Sequence, residues 1–232
     1  MIACQLTLNV KLRDEAIFDN FVSGLHTQVI ENLKNFVIKQ SESFIFCYGE
    51  RGVGKTHLLQ ACCHTNKDIF YLPLLDYKEL SPAIFDALEF QSIVCIDDVD
   101  VIVGNAEWEE ALFYFYNRAR DRNVFLLMSG KMQPKLLSFK LLDLQSRLSS
   151  ALILEIKNLT DQEKMQALQL RAKLRGFDLS DEVLHYLLHH YSRSMHDLFF
   201  VLEKLDDASL IAKRRLTIPF LKTVIGVRDQ CA

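Results

Sequence analysis

The sequence has few residues that break regular structure and no long apolar run. Glycine and proline number 8 and 4 of 232 residues, while 50% of the residues are hydrophobic, a balance that excludes disordered and collagen-like chains. No stretch approaches the roughly 18 apolar residues that span a bilayer, and the first residues lack the order of a secretory signal. We therefore expect a globular, cytoplasmic protein with no membrane partner.

The sequence also lacks an excess of basic charge. Its 27 lysines and arginines are set against 30 aspartates and glutamates, for a net charge of −3, so no overall basic field attracts nucleic acid. Contact with DNA is therefore expected to be indirect or weak. The six cysteines form no C-x-x-C pair, and we expect them to be reduced.

Short apolar runs alternate with stretches of helical spacing over most of the chain. The runs occupy residues 44–48, 69–72, 92–96, 124–128 and 151–156. Nearly continuous apolar runs suit strands buried on both faces, and their alternation with helices predicts a parallel α/β sheet flanked by helices. After Lys157 only helical patterns follow, opened by a capping box at Thr160 and Glu163. We expect an α/β domain over 13–157 and a small all-helical domain over 158–232.

A glycine-rich motif directly follows the first apolar run. Residues 49–56 fit G-x-x-x-x-G-K-[ST], the phosphate-binding P-loop, and a helix-compatible stretch comes next. Backbone N–H groups of such a loop point at a phosphate, the lysine reaches its oxygens, and the Thr56 hydroxyl can ligate Mg²⁺. The predicted cofactor-binding residues here are Gly49, Gly52, Val53, Gly54, Lys55, Thr56 and His57.

Two carboxylates follow the third apolar run. Residues 93–96 lead directly into Asp97 and Asp98, so the end of a buried strand delivers both side chains. We assign Asp97 to the magnesium ion, through water and together with Thr56, and Asp98 to the attacking water. In the alternative interpretation both carboxylates only cap the following turn, because aspartate is common in loops.

These motifs together resemble the DnaA-related family of AAA+ ATPases. The resemblance rests on residues 17–24 (Ile-Phe-Asp-Asn-Phe-Val-Ser-Gly), the P-loop, the pair Asp97 and Asp98, and residues 144–148 (Leu-Gln-Ser-Arg-Leu). It implies an AAA+ nucleotide-binding domain that holds ADP or ATP with Mg²⁺, followed by a helical lid. The sequence is too short to include the initiator's helix-turn-helix domain as well, so we expect a relative of the replication initiator.

Within this family the chain looks like a regulatory inactivator of DnaA. Residues 5–10 (Gln-Leu-Thr-Leu-Asn-Val) are similar to a peptide that binds the sliding clamp, with Gln5, Leu6 and Leu8 as contacts in a segment over 1–12. Taken alone, their alternation would fit an edge strand. Residues 164–177 and 216–220 look like the lid of such a regulator. The initiator has a basic segment that binds single-stranded DNA, and the corresponding segment of this chain is mostly acidic. Residues 72–91 contain Asp76, Glu79, Asp86 and Glu89 against Lys78.

The resemblance implies a mechanism that acts on a second protein. Arg147 lies at the family's arginine-finger position, where a positive charge offsets charge developing on a phosphoryl group in a neighbouring subunit. The implied partners are the DnaA initiator and the β sliding clamp of DNA polymerase III on DNA. The implied function is to promote hydrolysis of DnaA-bound ATP, and so to inhibit replication initiation. Without the resemblance, Arg147 would be interpreted as a solvated or packing arginine.

Two positions depart from the family pattern. His196 stands where the family carries a sensor arginine, and a histidine is shorter and largely uncharged at neutral pH. It either touches phosphate weakly, is replaced by Arg193, or makes no nucleotide contact. Lys131 stands where DnaA has an acidic residue, although Ser129 is a candidate water-orienting sensor. We therefore expect the intrinsic ATPase activity to be weak. The alternative is a stand-alone ATPase, such as a helicase loader. The protein could also form a homodimer or a larger oligomer.

Overall fold

The computed structural model of the protein describes residues 12–39, 42–66, 68–212 and 217–225. The chain divides into two units, one ending at Asn158 and one beginning at Leu159. The residues predicted to bind the sliding clamp, Gln5, Leu6 and Leu8, lie outside the described ranges.

The first unit is built on a parallel sheet of five strands. These are β1 (Phe44–Tyr48), β2 (Ile69–Pro73), β3 (Ile93–Asp97), β4 (Phe125–Gly130) and β5 (Leu152–Glu155). They lie in the order β2-β3-β4-β1-β5, and every neighbouring pair is parallel. The predicted parallel α/β sheet is therefore confirmed. Because β4 lies between β3 and β1, the carboxyl ends of these three strands are adjacent.

Five α-helices in the described residues of this unit accompany the sheet. They are α1 (Thr27–Lys39), α2 (Lys55–Thr65), α3 (Ile84–Leu88), α4 (Ala106–Asp121) and α5 (Leu142–Ser149). Since successive side chains of a strand point to opposite faces, β1 contributes Phe46 to one buried cluster and Ile45 to the other. The cluster with Phe46 includes Trp108 of α4, and the cluster with Ile45 includes Leu58 of α2. The four cysteines in the described ranges are free and buried.

The second unit is helical throughout its described residues. It contains α6 (Asp161–Leu174), α7 (Asp181–His190), α8 (Met195–Ala212) and α9 (Ile218–Ile225). The predicted capping box opens α6: the Thr160 hydroxyl accepts from the Glu163 N–H, and the Glu163 carboxylate accepts from the Thr160 N–H at 2.8 Å. The predicted small helical domain is thus confirmed. Among the helices described, none is long and apolar enough to cross a membrane.

Candidate nucleotide site

The P-loop connects the end of β1 to the start of α2. Gly52 and Gly54 have φ angles of 87° and 104°, which residues with a Cβ rarely adopt. A Cβ on Gly49 would lie 2.2 Å from the Ile156 carbonyl oxygen, and one on Gly54 would lie 2.5 Å from Cε2 of Phe21. The loop therefore needs glycine for its backbone conformation and for close approach to its neighbours.

The Lys55 side chain folds back over the loop. Its ammonium donates to the carbonyl oxygens of Gly49 at 2.8 Å and Glu50 at 2.9 Å, and the residue is 7% exposed. A buried ammonium must be hydrogen-bonded, and both of these acceptors are neutral carbonyl groups. They leave the positive charge of Lys55 unneutralised. Lys55 and the half-buried Thr56 are the first two residues of α2, where backbone N–H groups also favour an anion.

The Asp97 carboxylate is held on both oxygens at the end of β3. The Tyr71 hydroxyl of β2 donates to Oδ2 at 2.7 Å, and the Ser129 hydroxyl of β4 donates to Oδ1. Asp97 is 2% exposed and Ser129 is fully buried. These two hydrogen bonds fix the orientation of the carboxylate, and neither serves as a turn cap.

Asp98 lies just beyond the strand in a left-handed conformation. Its φ is 58°, its backbone N–H donates to the Ser129 oxygen at 2.9 Å, and its side chain makes no capping hydrogen bond. Burial and the charge of Asp97 raise the pKa of Asp98 to about 6, while Lys55 partly opposes the rise. Lys55 therefore interacts electrostatically with Asp98. The capping interpretation of these two residues is wrong, because neither side chain caps the turn.

The oxygen atoms of Asp97 and Thr56 are suitable ligands for a magnesium ion that also binds the phosphates of a nucleotide. Carboxylate and hydroxyl oxygens, such as those of Asp97 and Thr56, are the ligands that Mg²⁺ prefers, usually together with water and phosphate. Within the described ranges, no group of three or more His, Cys, Asp or Glu side chains could hold a metal ion by itself.

The segment before α1 packs against the P-loop helix. The ring of Phe21 lies between the rings of His57 and His26, with centroids 5.5 and 5.7 Å away. Nε2 of His57 lies 2.9 Å from the Ile17 carbonyl oxygen, and Nε2 of His26 lies 3.0 Å from the Lys157 nitrogen. His57, predicted to bind the cofactor, thus contacts the N-terminal segment of the domain.

Arg147 lies in α5, which is tied to the preceding loop. The Gln145 side chain donates to the carbonyl oxygen of Leu137 at 2.7 Å and to those of Pro134 and Lys135 at 3.3 Å. Arg147 is half-buried, and no carboxylate in the described part of the chain forms an ion pair with it.

The acidic segment over 72–91 is partly neutralised by α4. Arg118 pairs with Asp86 and Glu89 at 2.8 Å each, and Arg122 approaches Glu89 to 3.3 Å. Asp76 and Glu79 are exposed. The local charge is less negative than the sequence of the segment suggests, because two of its four acids have basic partners from another helix.

The residues that depart from the family pattern are exposed. His196 lies in the first turn of α8. Arg193, just before that helix, lies 3.9 Å from a carboxylate oxygen of Asp161. Lys131 extends from the end of β4 to within 3.8 Å of the Asp100 carboxylate. The unusual lysine is thus matched by a nearby acid.

Comparisons with known proteins agree with the two-part organisation. Residues 161–225 match the family described as Hda, lid domain, and residues 12–72 match the bacterial DnaA ATPase domain. An uncharacterized protein of Haemophilus influenzae is 39% identical over 228 residues, which cover 96% of this chain and 99% of the relative. The chain belongs to the Hda and DnaA-related AAA+ family.

Solved structures share the fold of this AAA+ protein. Domain III of Thermotoga maritima DnaA has a TM-score of 0.80 at 19% identity, over 94% of this chain and 98% of that one. AMPPCP-bound DnaA from Aquifex aeolicus has a TM-score of 0.67 at 20% identity, over 84% of this chain and 66% of that one. At these identities the likeness shows the fold alone.

Sequence reasoning missed Tyr71 and Gln60. Tyr71 lies in an apolar strand run, where a tyrosine is taken for a core residue, and Gln60 lies in the middle of α2. Gln60 is nonetheless 5% exposed, and its side-chain oxygen accepts from the Arg13 N–H at 3.1 Å. The available signal was a polar side chain within an otherwise apolar stretch.

Proposed function

We propose that this protein is a negative regulator of replication initiation that promotes hydrolysis of ATP bound to DnaA. Arg147 supplies the positive charge that offsets charge developing on the transferred phosphoryl group. One observation carries the proposal: Arg147 is half-buried in α5, a helix that is anchored to the preceding loop through Gln145. The match to the Hda lid family supports the same assignment.

The proposed cofactor is ADP or ATP with Mg²⁺ in the protein's own P-loop. Gly49, Gly52, Val53, Gly54 and His57 would surround the phosphates with Lys55, while Thr56 and Asp97 would hold the metal. His196 of the helical unit is a further candidate contact. Two structural relatives of the same fold are described as bound to AMPPCP. The nucleotide would act mainly by stabilising the conformer that presents Arg147.

The proposed tether is the segment over residues 1–12. Gln5, Leu6 and Leu8 would bind a hydrophobic groove of the sliding clamp, because an extended terminal segment can add to a partner surface. The clamp on DNA would then bring the regulator to DnaA, so that contact with DNA is indirect. This role places the protein in the cytoplasm.

The test is hydrolysis of DnaA-bound ATP in the presence of this protein, with and without a clamp loaded on DNA. The proposal predicts acceleration only when both the protein and the loaded clamp are present. Unchanged hydrolysis under every condition would contradict it. Acceleration without the clamp would contradict the proposed tether alone.

A stand-alone ATPase, such as a helicase loader, is the second candidate. The half-buried Asp98 carboxyl favours it, because a pKa of about 6 suits a group that accepts a proton near neutral pH. In that case Arg147 would act between copies of this chain. Substantial ATP hydrolysis by the protein alone, lost in Asp98→Ala, would favour this candidate over the regulator.

A further inference from the structure

A tyrosine of the neighbouring strand reaches the Asp97 carboxylate. Asp97 of β3 is paired in register with Pro73 of β2, and Tyr71 with Cys95. Tyr71 is therefore the diagonal neighbour of Asp97 on the same face, a separation that a long aromatic side chain can bridge. Its hydroxyl donates to Oδ2 over 2.7 Å. The contact follows from this strand register.

The two carboxylate oxygens of Asp97 accept hydrogen bonds from hydroxyl groups on the two neighbouring strands. Tyr71 donates from β2 and Ser129 from β4, so the carboxylate cannot rotate without losing one of the two hydrogen bonds. Each carboxylate oxygen has two lone pairs, and each therefore keeps one for a water molecule or a metal ion. The hydroxyls fix the direction of those remaining lone pairs.

We propose that Tyr71 is a positioning residue for magnesium-dependent nucleotide binding. Its hydroxyl donates to Asp97 and so fixes the orientation of the carboxylate, which would hold the magnesium ion through water. The inference rests on the proposed nucleotide site, and adds to it a residue that touches neither nucleotide nor metal. Loss of such an indirect partner typically weakens metal affinity by about 10–100-fold.

The test is Tyr71→Phe, with ADP binding measured by calorimetry over a magnesium titration and again in EDTA. We expect the Mg²⁺ concentration that gives half of the gain in ADP affinity to rise roughly 10-fold. Affinity for ADP in EDTA should stay within about 2-fold, because phosphate contacts of the P-loop do not involve Tyr71. Tyr116→Phe is the matched control: Tyr116 is 2% exposed, and its hydroxyl lies 3.3 Å from Ser150.

The following outcomes would overturn the inference. Tyr71→Phe could leave the magnesium requirement unchanged, or could weaken ADP binding equally in EDTA, which would show a general structural role. Native protein without any magnesium-dependent ADP binding would remove the nucleotide proposal as well, so the two failures are distinguishable. Should Tyr71→Phe not fold, Tyr71→Met decides, since it also removes the hydroxyl that donates to Asp97. It should shift the magnesium requirement in the same direction, and an unchanged requirement would overturn the inference.

Discussion

The backbone N–H of Asp98 donates to the Ser129 hydroxyl oxygen over 2.9 Å. This bond joins the end of β3 to β4 and supports the left-handed backbone of Asp98. The Ser129 hydroxyl in turn donates to Asp97. A single serine therefore contacts the side chain of Asp97 and the backbone of Asp98. The P-loop follows β1, the strand on the other side of β4.

The raised pKa of Asp98 predicts a pH-dependent stability. The pKa rises from an ordinary value of 3.8 to about 6 in the folded protein, so the folded state holds this proton more tightly than the unfolded chain does. The contribution of Asp98 to stability is present at pH 4 and is lost as the pH rises to about 6. Asp98→Asn removes the charge and keeps a residue that tolerates positive φ.

We therefore expect Asp98→Asn to unfold at a higher temperature than the native protein above pH 6. The gain should shrink between pH 6 and pH 4, as the native carboxyl becomes neutral. Thermal unfolding at a series of pH values checks this. A difference between the two proteins that does not change with pH, or that grows towards pH 4, would contradict the assigned direction.

Replacing Lys55 should weaken nucleotide binding without unfolding the protein. A hydrogen bond to a charged group contributes about 1.5–3 kcal/mol, which corresponds to roughly 10–100-fold in affinity. We expect Lys55→Met to lose ADP affinity by that factor, measured by calorimetry. Lys78→Met is the control, because Lys78 is exposed in the same unit. Equal affinity of the two variants would refute the role of Lys55.

Alanine substitutions at Gly49 and Gly104 distinguish the effect of crowding at the P-loop from the effect of backbone strain away from it. A Cβ on Gly49 would clash with the Ile156 carbonyl, whereas Gly104 has a φ of 86° and open space around it. Both alanine variants should be destabilised, by about 1–3 kcal/mol for crowding and about 1–2 kcal/mol for strain. Only Gly49→Ala should also lose ADP affinity. Impaired ADP binding in Gly104→Ala would show that the assay reports stability alone.

The sequence predicted elements better than contacts between elements. The apolar runs located all five strands, since continuous burial on both faces has a clear signature. The same runs could not reveal that Tyr71 reaches Asp97, because that depends on the register between β2 and β3, which continuous apolar residues do not specify. The pairing of Arg118 with Asp86 likewise depends on how α3 packs on α4.

The proposed tether, residues 1–12, gives a prediction that does not depend on nucleotide binding. Changing Gln5 and Leu6 together to alanine should abolish retention on a loaded sliding clamp, because the side chains that would enter the groove are removed. ADP affinity should stay unchanged. Clamp binding of the double variant by surface plasmon resonance is the measurement, and native-like retention would exclude this segment as the tether.

We propose above that Arg147 acts on ATP held by DnaA. The measurement is the rate of DnaA-bound ATP hydrolysis with loaded clamp and native protein, Arg147→Ala, Arg147→Lys or Arg120→Ala. Arg120 is the control, because it and Arg147 both act on the pKa of Tyr116 and so carry charge in the same neighbourhood. Lysine keeps the charge but not the planar guanidinium. We predict stimulation by the native protein and Arg120→Ala, and little or none by either Arg147 variant; full stimulation by Arg147→Ala would contradict the account.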